Sequence, residues 1–202
     1  MIDTLMRQGR VSTALAALLT VSVTPDARAA DNIATVLAGP CTACHGVVGN
    51  SNGMSMPSLA GMDFYYFFDT MRAYQSGKRS GTIMNRIAKG YSEDQLEIMG
   101  DYFESMSFQP AKQEFDADLA ARGKELHQNY CQESCHKNGG EGTEESGMLA
   151  GQWVTYLSNA FYDMQEGRSE QSPKMNAKVK SLFEEQGEDA FEALLHYYAS
   201  QQ

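Results

Sequence analysis

The 202-residue chain is short of positive charge, with 16 Lys and Arg against 26 Asp and Glu and a formal charge of -10. Nucleic acid would be repelled by such a surface, so binding to it is excluded. With five prolines and no Gly-X-Y period among the 18 glycines, the chain is not fibrous. No apolar run reaches the ~20 residues that a bilayer core requires, which excludes a membrane anchor. Alternating β-branched segments are missing, so the chain reads as all-α. A Ser-His-Asp set, a P-loop and a dinucleotide fingerprint are also missing, so nothing supports catalysis by the chain itself. Hydrophobic residues at 42% and charged residues at 21% nevertheless make an ordinary globular mixture. Cysteine is scarce as well, but its four copies sit in two tight clusters.

Residues 1–29 read as an export signal. Arg7 and Arg10 charge the start, Val11 to Val23 form a 13-residue run of apolar and small residues, and Ala27-Arg28-Ala29 supplies a small-x-small cleavage pattern. Cleavage near Ala29/Ala30 leaves 13 basic and 24 acidic residues, a charge of -11, and places the mature chain in the periplasm. The acidic surface would steer the chain toward a basic partner.

The remainder is written twice. Cys41-Thr-Ala-Cys44-His45 recurs as Cys131-Gln-Glu-Ser-Cys135-His136, and Leu59-Ala60-Gly61 recurs as Leu149-Ala150-Gly151. Met84 and Met175 also correspond, so each histidine precedes its methionine by 39 residues (45 to 84 and 136 to 175). Four matches in the same order indicate tandem domains, 30–107 and 116–202, joined by a linker over 108–115 in which Pro110 stops the preceding helix. A capping box at Ser92-Glu-Asp-Gln95 starts a helix bearing Leu96, Met99, Phe103 and Met106. Phe191, Leu194, Leu195 and Tyr198 form a second such stripe. Ile33, Val36 and Leu37 precede the first cysteine cluster, and Leu119, Gly123, Leu126 and Tyr130 precede the second. Each half is small for a self-sufficient apolar core, and a large apolar cofactor would supply the missing burial.

Cys-x-x-Cys-His is the attachment signature of c-type haem. The two thiols add to the haem vinyl groups and the adjacent histidine ligates the iron. One helical turn brings Cys41 and Cys44 to one edge and turns His45 toward the metal. A thioredoxin-like pair lacks its βαβ context, and the spacing suits no common zinc site. The second cluster has three residues between its cysteines. Cys135-His136 keeps the ligand and one thioether, the altered geometry falls on Cys131, and a Cys131–Cys135 disulfide is the competing reading. Two covalent haems are therefore expected.

Methionine as sixth ligand raises a haem's potential and closes the iron for electron carriage. Met84 and Met175 are the candidates on their equal spacing, against Met54, Met56, Met62 and Met71 in one half and Met148 and Met164 in the other. His127 lies on a helix leading into the proximal cluster, and His196 reads as a surface or interhelix residue. The aromatics from Phe64 to Phe68 and Trp153, Tyr156, Phe161 and Tyr162 read as pocket wall and interdomain packing. Lys137 to Gly147 reads as a solvated loop.

Ser80-Gly-Thr-Ile-Met84-Asn-Arg-Ile-Ala-Lys-Gly-Tyr-Ser92, Gln109-Pro-Ala-Lys-Gln113, Leu149-Ala-Gly-Gln-Trp153 and Tyr198-Ala-Ser-Gln-Gln202 resemble the dihaem cytochrome subunits of flavocytochrome c sulfide dehydrogenases. The resemblance spans essentially the whole mature chain. It implies two class I cytochrome c folds bound to a separate flavoprotein subunit that carries FAD and oxidises sulfide. Electrons would pass from flavin to haems and on to a soluble acceptor cytochrome. His45 and Met84 would ligate the first iron, and His136 and Met175 the second. The family's second motif is Cys-x-x-Cys-His, from which this chain departs by one residue. A free dihaem shuttle feeding a terminal oxidase is the alternative; a permanent partner would need a large apolar patch, a shuttle only charged docking rims.

Overall fold

The computed structural model describes residues 27–132 and 135–202, so the apolar run of the expected export signal lies outside the described residues. The first half holds α1 (Ala27–Ala38), α2 (Thr42–His45), α3 (Phe64–Ser76), α4 (Met84–Ile87) and α5 (Glu93–Glu104). The second holds α6 (Ala117–Leu126), α7 (Val154–Gln165), α8 (Pro173–Gln186) and α9 (Asp189–Ala199). No strand occurs among the described residues, only isolated bridges.

Side-chain caps start several of these helices. Ser92 Oγ accepts from the Gln95 N–H at 3.3 Å and Gln95 Oε1 accepts from the Ser92 N–H at 2.9 Å, closing the capping box of α5. Asp63 caps α3 and Asp116 caps α6 in the same way, each accepting two backbone N–H bonds. Leu96, Met99 and Phe103 are buried along α5 as their spacing predicts, while Met106 falls beyond the helix end. The helix ends at Glu104 with Ser105 as its C-cap, well ahead of Pro110, and the Met106 N–H turns to the Phe103 carbonyl at 3.2 Å.

Each half has its own core. Phe67, Met71, Leu96, Met99 and Phe103 anchor the first; Leu126, Leu157, Leu182, Leu194 and Tyr198 anchor the second. In both, the helix ahead of the cysteines packs on the last helix, α1 on α5 and α6 on α9. The two packings differ. Gly123 lets α6 approach so closely that a Cβ there would stand 2.0 Å from the Ala193 carbonyl oxygen. Ile33 holds the matching position in α1, and both it and Val36 are exposed, so α1 turns Leu37 and Ala38 inward instead.

The halves meet through equivalent segments. Gln152 Oε1 accepts from the Ser58 N–H at 3.0 Å and its Nε2 donates to the Ser58 carbonyl at 2.9 Å, both bonds buried. Trp153 Nε1 donates to the Ser51 carbonyl at 2.9 Å, and the linker joins in through the Ala111 N–H to Gly151 carbonyl bond of 2.7 Å. Arg79 and Ser169, matching positions of the two repeats, form an antiparallel bridge flanked by Ser80 N–H to Arg168 carbonyl and Glu170 N–H to Lys78 carbonyl. Gly61 and Gly151, also equivalent, share a left-handed backbone with φ of 69° and 68°.

A Gly123→Ala variant must push α6 off the α9 backbone, at about 1–3 kcal/mol. Gly100→Ala, whose close contact is with the Phe64 side chain at 2.8 Å and not with backbone, should cost less. Thermal unfolding of the two variants checks the order.

Candidate functional site

In the first half a 3-10 turn, Gly39–Cys41, runs into α2. Pro40 near its start and the Thr42 Oγ1 bond to the Gly39 carbonyl at 2.7 Å fix the approach, and Gly46 at φ 79° ends the helix. This presents Cys41 half-buried against the first core and Cys44 exposed. His45 is buried, and its Nδ1 lies 2.8 Å from the Pro57 carbonyl. A carbonyl partner makes Nδ1 the N–H donor and leaves the Nε2 lone pair free for a metal. Burial lowers the His45 pKa, with the Pro57 bond opposing it, so the ring is neutral, as a ligand must be.

The second half reaches the same arrangement by a wider turn. α6 continues into a π turn, His127–Cys131, in which the Gln132 N–H bonds the His127 carbonyl at 2.9 Å. The His136 N–H then bonds the Cys131 carbonyl at 3.3 Å, spanning five residues where an α turn spans four. Cys131 packs against the second core as Cys41 does against the first. None of the four cysteines is bonded to another in the structure. His136 is buried, and its pKa falls to about 4, through burial first and the neighbouring His127 second, with the Gly147 carbonyl opposing. Gly147 occupies the Pro57 position, yet no hydrogen bond to His136 Nδ1 closes, and that atom is buried without a partner.

The methionines are placed differently. Met84 opens α4 and packs, half-buried, against the core that Cys41 borders. Asn85 pins this loop: its Oδ1 accepts from the Gly81 N–H at 2.6 Å and its Nδ2 donates to the Tyr74 and Arg79 carbonyls at 2.8 Å each. Met175 is the third residue of α8, half-buried, with its N–H capped by Ser172 Oγ at 3.2 Å. Met62 and Met71 are core residues, whereas Met54 and Met56 are exposed.

His127 does lie on the turn leading into the proximal cluster, where its Nδ1 sits 3.0 Å from the Tyr198 hydroxyl and its Nε2 has no partner. It replaces Leu37 of the first half, and that mismatch between repeats was the signal that it has a separate role. His196 joins helices, accepting the Asp116 N–H at 2.8 Å. The loop from Lys137 to Gly147 is largely exposed, but Ser146 is buried and donates to the Cys135 carbonyl at 2.6 Å.

These donors fit haem c: in each half a neutral buried imidazole follows a reduced thiol on its own turn. Among the described residues no three His, Cys, Asp or Glu side chains gather as a metal cage, and no helix is long and apolar enough to cross a membrane.

No protein-family model matches the chain. Cytochrome c4 from Pseudomonas aeruginosa is 32% identical over 162 residues, 74% of this chain and 79% of that protein. The cytochrome subunit of sulfide dehydrogenase from Chlorobaculum tepidum is 33% identical over 72 residues, 36% of this chain and 64% of that subunit. In three dimensions, reduced recombinant cytochrome c4 from Pseudomonas stutzeri superposes with a TM-score of 0.70 over 89% of this chain and 100% of its own, at 24% identity, which establishes the class I cytochrome fold.

Burial depresses the His127 pKa below its ordinary 6.5. Its contribution to stability is therefore complete above that value and is lost as pH falls through the acid range. A His127→Leu variant should unfold at a lower pH than wild type in an acid titration followed by circular dichroism. An unmoved midpoint would contradict this reading of the buried ring.

Proposed function

The chain belongs to the cytochrome c4 family of dihaem c-type cytochromes, and from that premise we propose that it takes electrons from the FAD of a sulfide-oxidising flavoprotein and hands them to a soluble acceptor. Electron transfer, not catalysis, is the chain's own part. Haem c supplies one-electron exchange at iron. His45 and His136 would hold the two irons through Nε2, and Met84 and Met175 would supply the thioether ligands. Cys41, Cys44 and Cys135, with Cys131 brought up by its wide turn, supply the thiols that hold the haems. The halves 30–107 and 116–202 each form one haem domain, joined by 108–115. Residues 1–29 direct the chain to the periplasm and are removed there.

One observation carries the choice of donor. No charged residue occurs from 32 to 62, and Val47, Val48 and Met54 are 75%, 46% and 60% exposed beside the first Cys-His cluster. Around the second cluster the exposed side chains include Lys137, Glu141, Glu144 and Glu145, beside the uncharged Gln132 and Asn138. The same haem sits in both halves, so haem burial does not account for the contrast. An uncharged apolar rim suits a lasting protein partner, and a charged rim suits a transient one. The free-shuttle reading draws support from the longer match to cytochrome c4.

An absorption spectrum of the natively isolated protein, taken before and after adding sulfide, tests the proposal. We expect flavin to co-purify and sulfide to reduce both haems. Absence of flavin, with haems reduced only by a chemical reductant, would favour the free shuttle.

A further inference from the structure

We propose that Arg79 is a shared counter-cation for the carboxylate edges of both haems, so that one charge at the junction of the halves sets both potentials. The proposal rests on the reading that each half carries a haem. Arg79 lies on the bridge to Ser169, where matching segments of the repeats meet, and only the first repeat has a cation there. Its Nη1 donates to the Tyr66 hydroxyl at 3.3 Å, and its Cζ stands 5.4 Å from the centre of the Tyr74 ring. The Tyr156 phenol is its neighbour from the other half. Tyr66 and Tyr156 are equivalent residues of the two repeats; Tyr66 and Tyr74 border the first core, and Tyr156 borders the second. The guanidinium therefore faces both haem domains.

What it lacks is an anion. The chain has ten more acidic than basic residues, yet no ion pair among the described residues includes Arg79. Three neighbours are tyrosines, which are neutral at physiological pH. Arginine stays charged in proteins, and a charge withdrawn from water is costly unless an opposite charge answers it. A guanidinium fork matches carboxylates in geometry as well as sign. Haem c carries two carboxylates, and a haem in each half would supply the anions that this cation would answer. Tyr74 also packs with Gly81 in the loop leading to Met84, so the cation is built into the wall of the first site.

The test compares both haem potentials, by spectroelectrochemical titration from pH 5 to 9, in the holo-protein and in its Arg79→Gln and Arg79→Lys variants. Without the cation, the carboxylates hold their protons to higher pH and their charge stabilises ferric iron. In Arg79→Gln both potentials should fall and should slope downward with rising pH; Arg79→Lys should restore most of the loss. A merely structural arginine would lower the melting temperature and leave the pH profiles unchanged. With both haems retained, an unmoved potential at either haem in Arg79→Gln overturns the proposal. So do wild-type potentials that shift on adding phosphate at constant ionic strength, since a dissolved anion would then fill the place. A wild-type chain holding fewer than two haems overturns the underlying reading instead.

Discussion

Each half of this chain has only a small apolar core of its own, and the structure is organised around that constraint. The cores are built from a few side chains, the second chiefly from its last helix and the first spread over several elements, and each borders a cysteine. A covalently held haem supplies apolar surface that the residues lack, which is why the thiols, the imidazole and the final helix converge. The halves also lean on each other. The Gln152 and Ser58 pair satisfies four backbone and amide groups' needs at once in a buried place, and such a pair holds relative orientation because breaking either bond strands its partner.

Duplication made the two sites alike, and later substitutions made them unequal. Pro57 fixes the His45 ring, whereas Gly147 leaves His136 Nδ1 without a bond. His127, tied to Tyr198, stands where the first half has Leu37. Arg79 faces Ser169. A histidine whose second nitrogen is hydrogen-bonded is a stronger donor to a metal, so His45 and His136 would differ as ligands although they are the same residue type.

Local signals were the most legible part of the sequence. The capping box of α5 and the stripe of Leu96, Met99 and Phe103 depend on neighbours a turn apart, and they stand as written. The repeat arithmetic likewise brought out the geometry shared by Gly61 and Gly151. The stripe of Ile33 and Val36 misled, because the face that a helix buries is decided by how closely its partner approaches. Pro110 marks an end for α5 that the helix does not reach, since it is already capped at Ser105. The π turn could not be read from residue types, since it is the backbone's answer to a spacing set elsewhere. Arg79 was invisible for a similar reason: its partners lie on α3 and α7, and only the folded pairing of the repeats brings them together.

The central claim is that each half holds one covalent haem despite the unusual spacing at Cys131. The most direct measurement is the mass of the mature holo-protein under denaturing conditions, where only covalent groups remain. The account predicts the mass of the chain plus two haems. A mass corresponding to one haem, with Cys131 and Cys135 oxidised to a disulfide, would contradict it.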